Sequence, residues 1–336
     1  MKVGIIGGTG RMGRFFAGVF ERAGYEVMVC GRRKESSCRE IAEQCPVVMV
    51  SVPIRETVPV IRKIAPLLTK DQLLCDLTSL KARPVAAMLE SKAAVIGLHP
   101  MFGPSIPTLR GQTIIATPAR VSPDQASSFL SIFEREGAKI TFSTPEEHDR
   151  IMAVVQGLTH LVTLTVAGTM RRLGTTPAET GPFMSPVYQI EMGLVGRLLS
   201  QDPDLYGDML AGNPDIPRVL SACSESLAEL SALIRAQDTD GFRKVFSEDA
   251  RHFAEYAERY VDPENYAGVL DGARDRRLQE LYRELLVKGR MTDEEMASFL
   301  TRKYELTSER AENLTANLIH GHPPIVLKRG EYYEPI

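Results

Sequence analysis

The sequence is short of cysteine and has no large excess of charge of either sign. Its five cysteines are odd in number, widely spaced and without a Cys-x-x-Cys pair: Cys30, Cys38, Cys45, Cys75 and Cys223. This pattern predicts neither a disulfide framework nor a zinc site, and we expect no metal centre. The formal net charge of −3 over 336 residues gives no strong overall attraction to nucleic acid or anionic lipid.

Export and membrane signals are also missing from the pattern. The chain begins directly with a strand pattern over residues 2–6, which leaves no room for the charged and apolar regions of a signal peptide. We therefore expect a cytoplasmic location. The most apolar long stretch, residues 151–170, reaches the length of a membrane span but carries Gln156, His160 and four threonines. We interpret it as a buried core helix and expect no membrane contact.

The first part of the chain, residues 1–143, instead repeats a β–α pattern. Short β-branched runs alternate with amphipathic segments, which indicates a parallel sheet flanked by helices, that is, an α/β Rossmann-type dinucleotide-binding domain. Strands are predicted at residues 3–6, 26–30, 47–52, 73–76, 94–98, 113–116 and 139–142.

Strand patterns nearly disappear in residues 144–262, which predicts an all-α helical domain for substrate binding and dimerisation. A helix-start pattern, Thr144-Pro145-Glu146-Glu147, opens a long helix that Gly174 should end. Further helical patterns occupy residues 186–201 and 218–260.

Residues 263–336 are predicted to form a small winged-helix-like extension. Helical patterns at 274–288, 292–303 and 308–320 precede a hairpin pattern at 325–333. A DNA-binding module should be basic, whereas this segment has 11 lysines and arginines against 13 aspartates and glutamates. We therefore favour a packing or oligomerisation module and regard nucleic acid as an improbable partner.

A glycine-rich loop follows the first predicted strand. Gly8, Thr9, Gly10, Arg11 and Met12 lead to Gly13 at the start of a helical pattern. Glycines permit a tight turn and close backbone approach to a pyrophosphate, and the helix N-terminus offers free N–H groups. Because the loop lies in the first β–α unit, it predicts a nicotinamide dinucleotide site. Ser51, Val52 and Pro53, at the end of the third strand, are assigned to the same site.

The choice between NAD and NADP depends on the residues that follow the second strand. A carboxylate there would bind the ribose hydroxyl of NAD, but this sequence has Gly31, Arg32, Arg33 and Lys34. Guanidinium groups can form paired bonds to a 2′-phosphate, so we predict NADP, with NAD as a possible second cofactor. Solvated surface charge is the alternative interpretation.

Candidate catalytic residues follow the fourth and fifth strands. Ser79 lies in the segment 76–81, and His99 begins the string His99-Pro100-Met101-Phe102-Gly103-Pro104. Ligands bind at the carboxyl ends of strands in such sheets, so both side chains should share one rim. A histidine there can accept a proton from a substrate hydroxyl while hydride leaves the same carbon.

The helical part offers fewer signals. From the residues alone, His160 is interpreted as a core histidine, and His148 as a surface residue in a capped first turn. Arg197 lies on an otherwise apolar helix and needs a partner, either a substrate carboxylate or an intramolecular ion pair. These two interpretations of Arg197 have about equal weight.

Taken in order, these motifs resemble the prephenate/arogenate dehydrogenase family. The resemblance rests on the Gly8–Gly13 loop, the segments 76–81 and 97–104, Gln156 to His160, and Ser185 to Tyr188 followed by 195–197. It covers about residues 1 to 260. It implies oxidative decarboxylation of prephenate to 4-hydroxyphenylpyruvate, or of arogenate to tyrosine, by a homodimer in tyrosine biosynthesis.

The resemblance also implies residue roles. His99 is the hydrogen-bond acceptor or base for the ring hydroxyl, Ser79 orients that group, Arg197 binds a carboxylate, and His160 lies near substrate and nicotinamide, which reverses the interpretation above. Bifunctional relatives carry an arginine where this chain has Gln189. We assign Gln189 to substrate binding, and this difference leaves the choice between prephenate and arogenate open. The competing classes are a nucleotide-sensing DNA-binding regulator and a dehydrogenase of 2-hydroxy acids.

Overall fold

The computed structural model describes residues 2–31, 35–254, 281, 284–285, 287–304, 306–308, 311–312, 315, 326–329 and 331–335. The chain divides into two compact units, residues 1–224 and 225–336, which are described separately. The first unit begins with a Rossmann-type α/β sheet and continues with helices. This order is the fold class that the sequence predicts.

One sheet of seven strands organises the first unit, in the order β2-β1-β3-β4-β5-β6-β7. The strands are β1 Lys2–Ile6, β2 Glu26–Cys30, β3 Val47–Val50, β4 Leu73–Asp76, β5 Ala94–Pro100, β6 Thr113–Arg120 and β7 Lys139–Phe142. All seven predicted strands are confirmed. Because β1 lies between β2 and β3, the winding of the sheet reverses beside β1, and that is where open α/β sheets bind ligands.

Strand β6 departs from the predicted parallel arrangement, because it runs antiparallel to β5 with His99 opposite Ile115. Parallel neighbours need a crossover of a dozen or more residues, usually a helix, and residues 101–112 contain none. The chain therefore turns straight back, and the Met101 N–H donates to the Thr113 carbonyl at 2.9 Å. As a result, the His99 end of β5 stays paired and buried.

Helices cover both faces of the sheet. They are α1 Arg11–Arg22, α2 Glu35–Gln44, α3 Ile54–Ile64, α4 Ala82–Leu89 and α5 Pro123–Arg135. Successive strand residues point to opposite faces, so Ile5 packs in the cluster with Phe16 of α1 and Phe133 of α5, whereas Ile6 packs in the cluster with Ile61 of α3. The sheet is thus apolar on both sides, as a parallel sheet must be.

A long helix links the sheet to the helical region. It comprises α6 Pro145–Met152, a π-helical turn Ala153–Leu158 and α7 Thr159–Leu173. The Thr144 hydroxyl accepts the Glu147 N–H at 3.1 Å, and Gly174 ends the helix with φ 69°. The predicted start and end are both confirmed. The π-helical turn was not predicted, and such turns occur frequently at functional sites.

The interpretation of residues 151–170 as a buried core helix is wrong for a single copy of the chain. Val154, Val155, Val162 and Leu173 are between 43% and 74% exposed. An apolar helix is buried only where other elements pack on it, and the described part of the chain leaves this face uncovered. By length and composition the helix 145–173 could also cross a membrane, but core helices of soluble proteins pass the same test.

The remaining helices are α8 Pro177–Thr180, α9 Pro186–Leu199, α10 Pro203–Gly212, α11 Ile216–Ala236 and α12 Thr239–His252. Helix α10 was not predicted. The described part of the predicted helical region 218–260 forms two helices, because Gln237 adopts a φ of 54° and Asp238 caps α12 by accepting the Gly241 N–H at 2.9 Å.

The second unit includes most of α11 and all of α12, and near the end of the chain the structure describes a small sheet and a further helix. Strands β8 Met291–Thr292, β9 Val326–Arg329 and β10 Tyr332–Pro335 form the order β8-β10-β9, and α13 spans Asp293–Tyr304. The predicted hairpin is present as the antiparallel pair β9 and β10. Most of the helical patterns at 274–288 and 308–320 lie outside the described residues, so the winged-helix topology stays a prediction.

Candidate active site

The glycine loop between β1 and α1 is packed so tightly that side chains are excluded. A Cβ on Gly13 would lie 2.6 Å from both the Gly7 carbonyl oxygen and the Gly8 Cα, and a Cβ on Gly8 would lie 2.6 Å from Val29. Gly7 itself has a φ of 84°, a left-handed conformation that favours glycine. The sequence pattern drew attention to Gly8 onward and missed Gly7, whose position in a Gly-Gly pair was the available signal.

This loop fits a dinucleotide pyrophosphate. Gly10 is the N-cap of α1 and makes no side-chain capping hydrogen bond, so no capping side chain uses the first N–H groups of the helix. Thr9, Gly10 and Arg11 are exposed beside them. Free N–H groups at a helix N-terminus, with the positive end of the helix dipole, bind phosphate.

The flanks of the loop come from β2 and β3, as the sequence predicts for a cofactor site. A Cβ on Gly31 would lie 2.4 Å from the Thr9 hydroxyl, so glycine is needed where β2 ends. Ser51 donates its N–H to the Ile6 carbonyl at 2.7 Å, and Pro53, two residues later, is the N-cap of α3. Arg32 and Arg33 lie outside the described residues.

The sequence predicted no disulfide framework, but the structure contains one disulfide. The structure joins Cys30, the last residue of β2, to Cys38 in α2, with the two Cα atoms 5.6 Å apart. The last residue of β2 and a residue of α2 thus meet although they are eight positions apart in the sequence. An odd number of widely spaced cysteines carries no information about such a contact. Among the described residues, no group of three or more potential metal ligands is found.

A buried ion pair supports the segment that follows β4. The Lys81 ammonium group donates to the Asp76 carboxylate and, at 2.8 Å, to the Leu98 carbonyl, and both side chains are fully buried. Burial raises the pKa of Asp76 and lowers that of Lys81, while their pairing opposes both shifts. The pair ties the residues after β4 to the end of β5, immediately before His99.

Aromatic packing connects the same end of β5 to the cofactor loop. Phe102 lies with its ring centroid 5.8 Å from that of Phe15 and 6.4 Å from that of Phe16, both in α1. The helix that begins at the glycine loop therefore contacts the string that begins at His99. This arrangement holds His99 and the cofactor loop on one rim of the sheet.

His99 is buried, with 2% exposure, and its two ring nitrogens face different partners. Nδ1 lies 2.8 Å from Nε2 of His148, and Nε2 lies 3.3 Å from the side-chain nitrogen of Gln156 in the π-helical turn. Burial is the largest cause that holds the pKa of His99 well below 6.5. His99 is therefore neutral at neutral pH, which is the state in which a ring nitrogen can accept a proton.

The interpretation of His148 as a surface residue is wrong, because it is 1% exposed and contacts the site directly. Its Nδ1 lies 2.8 Å from the Asp149 carboxylate. The charged neighbours of His148 in the sequence suggested a solvated first turn. The signal that could have found it is spacing, since His148, Met152, Gln156 and His160 recur every four residues on one side of the long helix.

His160 and Arg197 come close together in the helical region. The His160 ring packs edge-on against Tyr206 of α10 with the centroids 4.8 Å apart. Partial burial and the positive charge of Arg197 lower the pKa of His160. Arg197 is exposed near both rings. It thus offers an accessible cation beside a histidine, as the carboxylate interpretation requires.

Ser79 and Gln189 have different surroundings. Ser79 is partly buried in the segment after β4, which pairs with β5 in register, Asp76 opposite Gly97. Gln189 is exposed in the first turn of α9. The structure therefore brings Ser79 to the rim that carries His99.

Known proteins match this chain over most of its length. Two family models apply: "Prephenate dehydrogenase, nucleotide-binding domain" over residues 22–142 and "Prephenate dehydrogenase, dimerization domain" over residues 144–248. A probable arogenate/prephenate dehydrogenase of Methanocaldococcus jannaschii is 35% identical over 278 residues, which cover 77% of this chain and 62% of that protein. The chain therefore spans about three-fifths of that relative.

A second relative and a solved structure agree. The T-protein of Haemophilus influenzae is 32% identical over 261 residues, covering 77% of this chain and 69% of that protein. The crystal structure of prephenate dehydrogenase from Aquifex aeolicus, in complex with hydroxyphenyl propionate and NAD+, superposes with a TM-score of 0.60 at 19% identity, covering 76% and 98% of the two chains. That similarity shows the fold, while the sequence matches show the family. The chain belongs to the prephenate/arogenate dehydrogenase family.

Proposed function

We propose that this chain oxidatively decarboxylates prephenate to 4-hydroxyphenylpyruvate with NADP as hydride acceptor. The observation that carries the proposal is the position of His99, a buried neutral histidine at the carboxyl end of β5 on the rim that also holds the glycine loop. The dinucleotide, with its pyrophosphate bound to that loop, would supply the hydride-accepting carbon of its nicotinamide ring. The protein's task is then to bind, orient and polarise the substrate.

His99 performs the proton step. As hydrogen leaves the hydroxyl-bearing ring carbon as hydride, the hydroxyl becomes acidic and His99 Nε2 accepts its proton. Loss of carbon dioxide from the opposite carbon returns an electron pair through the ring to the oxygen, which takes the proton back as a phenol. The proton that His99 accepts is therefore returned within one turnover. Ser79, on the same rim, hydrogen-bonds the hydroxyl and orients it.

Arg197 binds the far end of the substrate, and His160 lies near both the substrate and the nicotinamide. Prephenate has a ring carboxylate and a keto-acid side chain, and an accessible guanidinium forms paired bonds to a carboxylate. Gln189 supplies an uncharged polar contact. Arogenate carries an ammonium group in place of the keto oxygen and is the alternative substrate, with tyrosine as its product.

NADP is proposed over NAD because Arg32 and Arg33, with no carboxylate, follow β2. A homodimer is proposed because the apolar face of the long helix is exposed in a single chain, at Val154, Val155 and Val162. The match to a family model that is described as a dimerization domain supports the same arrangement. Light scattering at micromolar concentration tests it, and a monomer would refute it.

The activity is tested by incubating the full chain with prephenate or with arogenate, each in the presence of NADP or NAD. Reduced cofactor is followed by absorbance, and 4-hydroxyphenylpyruvate and tyrosine are separated by chromatography. We expect 4-hydroxyphenylpyruvate from prephenate with NADP. If tyrosine forms from arogenate and no 4-hydroxyphenylpyruvate forms from prephenate, arogenate is the substrate. The absence of both aromatic products would refute the proposal.

A further inference from the structure

We propose that His148 and Asp149 are positioning residues that fix the tautomer of His99 and leave its Nε2 as the proton acceptor. This inference deepens the proposed function and rests on it for its catalytic meaning. The chain of contacts that carries it runs from the Asp149 carboxylate through the His148 ring to the His99 ring, and all three residues are at most 2% exposed.

Asp149 is held as an acceptor at the start of this chain. Its Oδ1 accepts the Lys81 backbone N–H at 2.7 Å, and its Oδ2 accepts the Ala82 backbone N–H at 3.0 Å. A carboxylate can only accept hydrogen bonds, so the nitrogen of His148 that lies 2.8 Å from Oδ1, Nδ1, must carry a hydrogen.

The tautomers of both rings follow from that hydrogen. We take His148 as a neutral ring, which has one donor and one acceptor nitrogen, so that Nε2 of His148 accepts. Its partner at 2.8 Å is Nδ1 of His99, which therefore donates. Nε2 of His99 is then unprotonated and can accept from the side-chain amide of Gln156, which lies 3.3 Å away.

This placement of hydrogens on the two rings has a catalytic consequence. A free histidine exchanges between two tautomers, and only the one with an unprotonated Nε2 can accept a proton from a hydroxyl at that nitrogen. When His99 becomes an imidazolium, its Nδ1–H remains bonded to His148, which Asp149 orients. The new charge is thus stabilised in a buried site where an unpaired charge would be costly.

The tautomer is tested directly by nuclear magnetic resonance of the full chain labelled with nitrogen-15 in its histidines. The chain has only six histidines, and the signals lost in His99→Asn identify those of His99. We expect Nδ1 of His99 to be protonated and Nε2 to be unprotonated in the absence of substrate. A protonated Nε2 on His99 would overturn the proposal, and this outcome does not depend on which substrate the enzyme uses.

Kinetics of two His148 variants test the consequence with the substrate that the activity assay identifies. His148→Leu removes both contacts at similar volume, and we expect at least about a tenfold loss in kcat with little change in the KM for substrate or NADP. His148→Gln keeps one donor and one acceptor and should recover much of the loss. Equal loss in the two variants, or wild-type kcat in His148→Leu, would contradict the role.

Ser91→Ala is the matched control for folding. Ser91 is buried, its hydroxyl donates to the Met88 carbonyl at 2.7 Å, and it precedes β5 at the opposite end of the sheet from His99. The Ser91→Ala substitution removes a buried hydrogen bond far from His99, so kcat should stay near that of the wild type. If no substrate is turned over by any variant, the proposed function fails, while the resonance measurement still decides the tautomer.

Discussion

The Asp149 carboxylate caps a helix that begins 67 residues earlier in the chain, because it accepts the backbone N–H of Ala82 at 3.0 Å. Helix α4 has no side-chain cap of its own, since its N-cap residue is Lys81. The first N–H groups of a helix need partners, and here they find one in the helical region. This contact joins the long helix to the segment after β4 and so brings Ser79, His99 and Gln156 to one rim.

Replacing this carboxylate should destabilise the fold strongly. In Asp149→Ala, buried N–H groups lose a charged acceptor, and we expect the free energy of unfolding to fall by about 3 kcal/mol or more. Asp202→Ala is the control, because Asp202 is an exposed N-cap that accepts the Asp204 N–H at 3.0 Å. It should cost about 1 kcal/mol. Urea unfolding measures both, and similar losses would show that the buried contact contributes nothing special.

His99→Asn should lower kcat by about 10² to 10⁴, the usual range for loss of a general base. In the wild type, burial holds the pKa of His99 well below 6.5. The acceptor form is therefore complete at pH 6.5 and above, and kcat/KM should fall only as the pH drops well below that value. The acid limb that belongs to His99 should disappear in the variant. A half-maximal point near pH 7 in the wild type, or near-normal turnover in His99→Asn, would contradict the assignment.

Gly13→Ala should abolish tight cofactor binding. The added Cβ would meet backbone atoms of Gly7 and Gly8 at 2.6 Å, and backbone cannot move aside as a flexible side chain can. Gly18→Ala is the control in the same helix, where the nearest atom to the added Cβ is the end of the Arg22 side chain at 3.4 Å. NADPH fluorescence titration should show a large increase in Kd for Gly13→Ala and little change for Gly18→Ala. Equal binding by the two variants would contradict a pyrophosphate role for the loop.

Cofactor preference is predicted to depend on two arginines. Replacing Arg32 and Arg33 together by alanine should raise the KM for NADP far more than that for NAD, because only NADP carries the 2′-phosphate that guanidinium groups bind. Initial rates with each cofactor measure the two effects. An equal rise in both KM values would mean that the arginines are only solvated charge.

The strands and the glycine loop could be predicted from the sequence because their signals are local. Short β-branched runs that alternate with amphipathic segments placed β1 to β7 within a few residues. The reversal of β6 could also have been inferred, from the helix-free residues 101–112, but the repeated β–α pattern obscured it. Local patterns work where one segment determines its own structure.

The relay beside His99 could not be predicted in the same way. His148 and Asp149 lie between charged residues, which favours a surface position, and their burial depends on α4 packing from 67 residues earlier. The Cys30–Cys38 disulfide was not predicted either, since the number and spacing of cysteines do not show which strand and helix residues meet. Contacts that join distant segments have no periodic signal in a single sequence.

Arg197 offers the sharpest test of the substrate's orientation. A charge-assisted hydrogen bond contributes about 1.5 to 3 kcal/mol, so Arg197→Gln should raise the KM for prephenate by roughly ten- to over a hundredfold. Turnover at saturation should change less, because the guanidinium binds a group that does not react. Arg171→Gln is the control, since Arg171 is an exposed arginine in the last turn of α7 and should leave KM unchanged. Initial-rate kinetics decide the matter: if KM is unaffected in Arg197→Gln, the substrate carboxylate binds elsewhere, and the positive charge beside His160 serves only to lower the pKa of that histidine.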